Sequence, residues 1–242
     1  MLNLIQGELY RFFHKKSMYI YFGILGLGYF FVIFMRSGGF DEGSVAVDAT
    51  TLFEIFPVLI GGFLFATIYT DDLNSKSLIT LVGYGMSKSQ IVMAKFLLVT
   101  WLGMLLFAMG PLYHIAIYAL FGYVATGQQI GMIYAFTLTV LLRTLAYCAI
   151  GGIAVYGLQR PTFSFVTYIL FAFSIVKTII TLLIGILKLE VDGYLLSNVI
   201  DQIMIGMIIG EGLAESVIKY LVYLIVALLL SAIAFNKKEM EF

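Results

Sequence analysis

Residues 96–121 read FLLVTWLGMLLFAMGPLYHIAIYALF and contain no aspartate, glutamate, lysine or arginine. An α-helix needs about 20 predominantly apolar residues to cross the hydrocarbon core of a bilayer, so this stretch is long enough to span one. Five further stretches have the same character, and 62% of all residues are hydrophobic. The sequence therefore predicts an all-α polytopic membrane protein with six transmembrane helices, at residues 18–34, 52–69, 92–121, 130–156, 163–187 and 218–235.

Composition limits what else the chain can contain. The six stretches take up more than half of the chain, so residues 1–242 are expected to form a single transmembrane domain without a separate soluble one. A catalytic or energy-coupling module would have to come from another chain. The formal net charge is zero, which argues against nucleic-acid binding. The one cysteine, Cys148, lies inside a predicted span and is expected to be a small apolar filler.

The distribution of basic residues predicts the orientation, because cytoplasmic segments of membrane proteins are enriched in lysine and arginine. With the N-terminus inside, nine basic residues fall on the inner side and three on the outer side. The inner ones are Arg11, Lys15, Lys16, Lys76, Lys88, Lys95, Arg160, Lys237 and Lys238, and the outer ones are Arg36, Lys188 and Lys219. We therefore expect both termini to be cytoplasmic.

Three segments outside the spans differ in their predicted structure. Residues 1–16 place apolar side chains at helical spacing opposite polar ones, which predicts an interfacial amphipathic helix; a cytoplasmic extension of the first span is the alternative. Residues 188–217 are too polar to span and too apolar for a solvated loop, so we expect two short helices there, forming an outer re-entrant hairpin. The outer loop at residues 36–50 is expected to be irregular.

The connection between the second and third spans, residues 70–95, reads TDDLNSKSLITLVGYGMSKSQIVMAK. It predicts a short cytoplasmic helix at residues 72–82, followed by a capping box at Ser87 and Gln90 that starts the third span. The apolar face of the short helix is made by Leu73, Leu78, Leu81 and Val82. Such a helix suits docking into a groove on a soluble partner, and resting on the lipid headgroups is the alternative.

The same connection resembles a stretch of type-2 ATP-binding-cassette exporter permeases. In those permeases an acidic residue and a small residue come before Thr-Leu, and the motif continues with Ser-Arg-x-x-Ile and then Lys. The matching residues are 71–78, 83–91 and Lys95. Ser77 stands where threonine is frequent and Lys88 where arginine is frequent, and both keep the hydroxyl or the charge. The order of elements agrees along essentially the whole chain. Small permeases of bacterial peptide-toxin, lantibiotic or antimicrobial-peptide export and immunity systems look most similar.

The resemblance implies a permease subunit in the bacterial plasma membrane that exports amphipathic peptides. It would pair with a second copy of itself or a similar permease, and with separate cytoplasmic ATPase subunits that bind ATP and magnesium. The chain contains no G-x-x-x-x-G-K-[ST] phosphate loop, so it is expected to be no enzyme and to bind no cofactor itself. The residues implied in coupling to the ATPase are Asp72, Leu73, Lys76, Leu78, Leu81 and Val82.

Other function classes fit the sequence less well. An intramembrane protease or lipid-modifying enzyme would need facing acids and histidines, but only His14 and His114 exist and no HExxH motif appears. A passive channel would need a polar stripe along one helix, and none is visible. A non-transporting immunity or sensor subunit stays open as an alternative, as does an exporter of lipid or of a small hydrophobic drug.

Two basic residues, Arg143 and Lys177, fall deep inside predicted spans. A charge near the bilayer centre costs about 2.5 to 3.5 kcal/mol on insertion scales, so something must compensate it. Either these residues line a cavity that accepts the acidic groups of a peptide or a lipid headgroup, or they form structural pairs with Glu54, Asp201 or backbone carbonyls. His114 is expected to be a hydrogen-bonded core residue.

Overall fold

The computed structural model describes residues 2–36, 44–75, 77–188 and 192–238. The described residues are 89% helical and contain no β-strand, which confirms the all-α class. Within these residues five helices are long and apolar enough to cross a membrane, and a sixth span results if a helix pair bent by 61° counts as one. The chain is therefore an all-α protein with five or six apolar helices able to span a bilayer.

The helices are numbered here in chain order. They are α1 (Leu2–His14), α2 (Lys16–Arg36), α3 (Ser44–Phe53), α4 (Gly62–Phe65), α5 (Asp71–Asn74), α6 (Ser77–Gly83), α7 (Lys88–Leu120), α8 (Gly127–Leu158), α9 (Pro161–Ala172), α10 (Ile175–Leu187), α11 (Leu196–Ile209) and α12 (Leu213–Lys237). Two π-helical segments, Pro57–Gly61 and Ala66–Thr70, join α3, α4 and α5 into one apolar unit, Ser44–Asn74. The bent pair is α9 with α10.

The second apolar unit begins earlier than its hydropathy predicts. The sequence places the start of this span at residue 52, after an irregular loop, whereas α3 is already helical from residue 44. Val45, Ala49 and Phe53 recur at every fourth position and are all buried, so α3 has an apolar face that packs into the bundle. The expectation of an irregular loop is therefore wrong for residues 44–50.

The π-helical stretch of this unit allows α9 to approach closely. Tyr168 on α9 is fully buried and donates a hydrogen bond from its hydroxyl to the Pro57 carbonyl oxygen at 2.5 Å. A Cβ atom on Gly61 would lie 2.0 Å from the Tyr168 Oη, so only glycine leaves room for this side chain. Phe65 also packs closely against Gly151 of α8, where an added Cβ would lie 2.7 Å from Phe65 Cε2. Gly61 thus allows close packing of the second apolar unit against α9, and Gly151 allows its close packing against α8.

Helix α8 forms the centre of the bundle. In an apolar stretch of 18 residues of α8, 67% is buried, whereas only 17% is buried in the corresponding stretches of α2 and α12. Helices α3, α7, α9, α11 and α12 all pack against it. The outer faces of α2 and α12 expose many aliphatic and aromatic side chains, a surface that water disfavours and lipid accepts. Residues on α8 are accordingly the ones best shielded from lipid.

The segment before the last apolar helix differs in detail from the two short helices expected at residues 188–217. Its described part is a 3₁₀ turn, Asp192–Tyr194, followed by a single α-helix, α11. The buried side of α11, which packs against α8 and α12, is formed by Val199, Ile200 and Ile203. Gly210 and Gly212 have positive φ values of 87° and 69° and reverse the chain into α12, so α11 and the start of α12 form a hairpin.

Candidate functional site

Six charged side chains meet where α1, α5 and the start of α7 come together. They are termed the inner ionic cluster, and its members are Glu8, Arg11, Lys15, Asp71, Asp72 and Lys95. Three are acidic and three are basic, so their formal charges cancel. Lys15 and Asp71 pair at the half-exposed edge of the cluster. The cluster joins the N-terminal helix to both ends of the connection between the second and third apolar units.

Asp72 and Lys95 form the buried centre of this cluster, with 1% of each side chain exposed. Their carboxylate and ammonium groups are in direct contact. The Lys95 Nζ also lies 3.0 Å from the Glu8 Oε1. The Arg11 Nη2 lies 3.0 Å from the Asp72 Oδ1 and 2.6 Å from the Glu8 Oε2. Because a buried charge is costly unless it is paired, these contacts hold α1, α5 and α7 together as one unit.

The structure places most of the residues implied in coupling against the rest of the chain. Asp72 belongs to the inner ionic cluster, and Leu78 is 5% exposed within the main apolar core. The residues partly buried against the same core are Leu73, Leu81 and Val82. Lys76 lies outside the described residues. Leu78 is thus used for packing inside the chain, whereas Leu73, Leu81 and Val82 keep part of their surface exposed.

The exposed part of the connection is the turn between α6 and α7. Tyr84 at this turn exposes 83% of its surface, and Gly85 has a positive φ of 82° that only glycine adopts readily. The predicted capping box is confirmed, because Ser87 Oγ accepts from the Gln90 N–H at 3.3 Å and Gln90 Oε1 accepts from the Ser87 N–H at 3.2 Å. Tyr84 therefore projects from a turn whose following helix is firmly started.

The C-terminal end of α12 is tied to the same region. Lys88 Nζ donates a hydrogen bond to the Lys238 carbonyl oxygen at 2.7 Å and lies 5.5 Å from the centre of the Phe235 ring, within the range of a cation–π contact. Phe235 packs in turn against Tyr156 of α8, with ring centroids 4.8 Å apart. The start of α7 and the ends of α8 and α12 thus meet on one side of the bundle.

An open cavity of about 790 Å³ borders the inner ionic cluster, between α1 and the end of the second apolar unit. Its charged lining groups are Glu8, Arg11, Lys15 and Asp71. All four are already paired within the cluster. This cavity consequently offers no excess charge to a ligand.

Arg143 and Lys177 converge on a single carboxylate, that of Asp201. Arg143 Nη2 contacts Asp201 Oδ1 directly, and Lys177 Nζ lies 3.8 Å from Asp201 Oδ2. Of the acids proposed as partners from the sequence, Asp201 is the one that the structure brings to them. Glu54 makes no ion pair with either cation among the described residues. Two cations thus share one acid, which leaves a formal excess of one positive charge.

His114 is fully buried and hydrogen-bonded at both ring nitrogens, as the sequence predicts. Its Nε2 lies 2.7 Å from the Val45 carbonyl oxygen, and since that oxygen can only accept, Nε2 carries a hydrogen. Its Nδ1 lies 2.6 Å from the Tyr29 hydroxyl, which donates to it when the imidazole is neutral. His114 thus joins α2, α3 and α7 through these two hydrogen bonds.

A further ion pair, with a buried carboxylate, was missed by sequence reasoning. Asp48, read from the sequence as an outer-loop acid, exposes 2% of its side chain, and Arg36 Nη2 lies 2.7 Å from its Oδ1. The Tyr118 hydroxyl donates to the other carboxylate oxygen at 2.5 Å. The available signal was the position of Asp48 three residues after the buried Val45, next to the apolar face of α3.

Comparison with known proteins adds no assignment, because no family model and no curated protein matches this chain. Within the described ranges no group of three or more histidine, cysteine, aspartate or glutamate side chains is placed to hold a metal ion.

Proposed function

We propose that this chain is the membrane-spanning permease subunit of an ATP-driven exporter of the type-2 ATP-binding-cassette class. It would work as a dimer in a bacterial plasma membrane, with separate cytoplasmic ATPase subunits, and amphipathic peptides are the proposed cargo. The observation that supports the proposal most strongly is how the connection between the second and third apolar units is anchored. That connection is packed through Leu78, capped at Ser87 and closed by the contact of Asp72 with Lys95.

A connection built in this way is suited to transmit a displacement. Asp72 lies near its beginning and Lys95 at its end, and their side chains are in direct contact. A push on the turn at Tyr84 would therefore move the inner ends of the second and third apolar units together. A loosely packed loop would absorb the same push by bending. Rigid-body displacement of packed helices is a common way to open or close a path.

The proposal includes a complete topology. Helices α9 and α10 together form the fifth of six spans, bent at residues 173–174. Helix α1 lies along the inner leaflet, and α11 with the start of α12 forms the outer re-entrant hairpin. Both termini are then cytoplasmic, in agreement with nine basic residues on the inner side against three on the outer side.

The turn at Tyr84 is the proposed contact with the ATPase, in place of the apolar face of α6. Leu78 on that face is 5% exposed, whereas Tyr84 is 83% exposed, and Thr80 and Gly83 are exposed beside it. Tyrosine is enriched among the residues that dominate protein–protein binding energies. A protruding tyrosine on a well-anchored turn therefore suits insertion into a groove of a soluble partner.

The test is copurification of magnesium-dependent ATP hydrolysis with the tagged full chain from its native membranes. Tyr84→Asp should abolish this activity in the purified sample while leaving the thermal unfolding midpoint of the chain unchanged. Tyr194→Asp is the matched control, because Tyr194 exposes 63% of its surface on the opposite side in the proposed topology. ATP hydrolysis that persists with Tyr84→Asp refutes the proposed contact.

Two further outcomes of this experiment decide the function itself. If no ATP hydrolysis copurifies with the unmodified chain, the permease proposal is refuted. If hydrolysis copurifies but no amphipathic peptide stimulates it, the non-transporting immunity or sensor alternative replaces peptide export.

A further inference from the structure

A second cavity, of about 450 Å³, opens beside Arg143. Its walls come from the turn after α3, from α8 and from the break between α9 and α10. The polar side chains among its lining residues are Thr51, Glu54, Arg143, Tyr147 and Ser174, and the remaining lining is apolar. The volume falls within the range of about 300 to 1,000 Å³ that is usual for small-ligand sites.

This cavity lies near the middle of the bundle. Arg143 is 16 residues from the first residue of α8 and 15 from the last, Gly127 and Leu158. At a rise of about 1.5 Å per residue it is about 24 Å from one end of the helix and about 22 Å from the other. A cation held so deep in a span marks a functional position by default.

Arg143 has binding capacity that the protein does not use. A guanidinium group has five N–H donors, and Arg143 Nη2 contacts Asp201. The Arg143 Nε is buried and has no hydrogen-bond partner in the described part of the chain. Asp201 must also serve Lys177, so one carboxylate faces two cations. The site therefore offers an unpaired buried donor on a cation whose acid partner, Asp201, is shared with Lys177.

The break between α9 and α10 adds to the positive character of the cavity wall. Ser174 is the N-cap of α10, has a positive φ of 59° and makes no side-chain capping hydrogen bond. The N-terminal end of a helix carries a partial positive charge, and in broken membrane helices such ends meet anionic substrate groups. Ser174 lines the cavity, so this end of α10 reinforces the charge of Arg143.

Two further features limit what can bind. Phe173 and Ile175, on either side of Ser174, expose 56% and 42% of their surfaces and extend the site toward lipid with apolar area. Glu54 is exposed on another wall of the cavity, and its carboxylate disfavours a second negative charge. The site thus matches a molecule with one acidic group and an attached apolar chain.

We propose that this cavity binds the single acidic head group, a carboxylate or phosphate, of an amphiphile whose apolar chain lies beside Phe173 and Ile175. Arg143 donates to the acidic group, and Asp201 positions Arg143. The identification of this amphiphile as cargo rests on the proposed function, whereas the binding itself does not.

The experiment measures ligand-induced stabilisation of the purified full chain in a neutral detergent, without any ATPase. Cys148 is the only cysteine and is fully buried, so the reaction of its thiol with a dye reports unfolding. The first probes are myristate and the uncharged myristyl alcohol. The second pair is an amphipathic peptide with one free carboxylate and its amidated form. In each pair, the probe with the acidic group should raise the unfolding midpoint of the chain, whereas the probe without that group should not.

Three variants locate the site. Arg143→Gln should weaken binding of the acidic probe by about ten- to one-hundredfold, the loss of a charge-assisted hydrogen bond. Lys177→Gln is the matched control, because it removes the same charge from a residue that does not line the cavity, and it should cause a smaller loss. Glu54→Gln should tighten binding, since it removes the opposing carboxylate. If Arg143→Gln fails to fold, the change in affinity for the acidic probe in Glu54→Gln decides whether the cavity is the binding site.

Each outcome has a defined meaning. A response to myristate assigns the head group to a lipid-like molecule, and a response to the free-acid peptide alone assigns it to a peptide; either supports the site. Equal responses to the acid and its uncharged match, equal losses in Arg143→Gln and Lys177→Gln, or no tightening in Glu54→Gln overturn it. Acid binding by a chain that recruits no ATPase defeats only the proposed function, and ATPase recruitment without acid binding defeats only this inference.

Discussion

Loss of the buried carboxylate of Asp72 should strongly destabilise the protein. In Asp72→Asn, Lys95 loses its direct partner and keeps Glu8 at 3.0 Å, while Arg11 keeps Glu8 at 2.6 Å. The formal charge of these four groups changes from zero to one positive charge. Removal of one member of a buried ion pair costs about 3 to 5 kcal/mol, because the remaining charge is left uncompensated. Since Glu8 still serves both cations, we expect a loss of about 3 kcal/mol.

A double variant tests whether the charge imbalance is the cause. Asp72→Asn combined with Lys95→Met restores a balance of one acid, Glu8, and one base, Arg11. We expect the pair to show a coupling energy of about 1 to 3 kcal/mol in the stabilising direction, as residues in direct contact do. The control is Lys15→Gln, whose partner Asp71 is half-exposed, and it should cost less than about 1 kcal/mol.

The measurement is unfolding in detergent, followed through the reactivity of the buried Cys148 thiol. The reasoning is refuted if Asp72→Asn is no less stable than Lys15→Gln. It is equally refuted if the losses in Asp72→Asn and Lys95→Met simply add in the double variant, because the two side chains would then not depend on each other.

Three further predictions concern charge sharing, packing and topology. Asp201→Asn should destabilise the chain more than Arg143→Gln, because it leaves two cations without an acid whereas Arg143→Gln leaves Lys177 paired with Asp201; equal unfolding midpoints would contradict this. Gly61→Ala should cost about 1 to 3 kcal/mol through overlap with Tyr168, and adding Tyr168→Phe should recover part of the loss in the same unfolding assay, with no recovery counting against the contact. In sealed cells an impermeant thiol reagent should label Glu211→Cys but not Ser75→Cys, both of which are exposed positions, and the reverse pattern would invert the proposed topology.

The features that sequence reasoning predicted well are local ones. The capping box at Ser87 depends on Gln90 three residues later, and Pro161 occupies the first turn of α9, a position that proline favours. Such features are encoded within about one helical turn, so the residues concerned can be read directly. The start of α3 was missed because glycines and acids in the preceding segment lower the average hydropathy, although Val45 and Ala49 already carried its helical spacing.

The candidate site was predicted less completely, because its contacts join distant parts of the chain. Asp72 and Lys95 were both recognised within the connection, but their contact with each other and with Glu8 was not. Asp201 was one of several partners considered for Arg143, from which it is separated by 58 residues. Hydropathy and spacing do not rank such partners, since each acid is equally charged before the helices are packed.

The sequence by itself determined the class of this protein: apolar stretches of sufficient length leave a chain few stable alternatives to membrane-spanning helices, because the hydrocarbon core demands that backbone polar groups be paired within each segment. The tertiary structure alone decided how its charges are matched. It closed Asp72 on Lys95, shared Asp201 between two cations and turned Leu78 inward while Tyr84 remained exposed. Electrostatic pairing depends on distance and burial, and both are properties of how helices pack rather than of the order in which their residues are written.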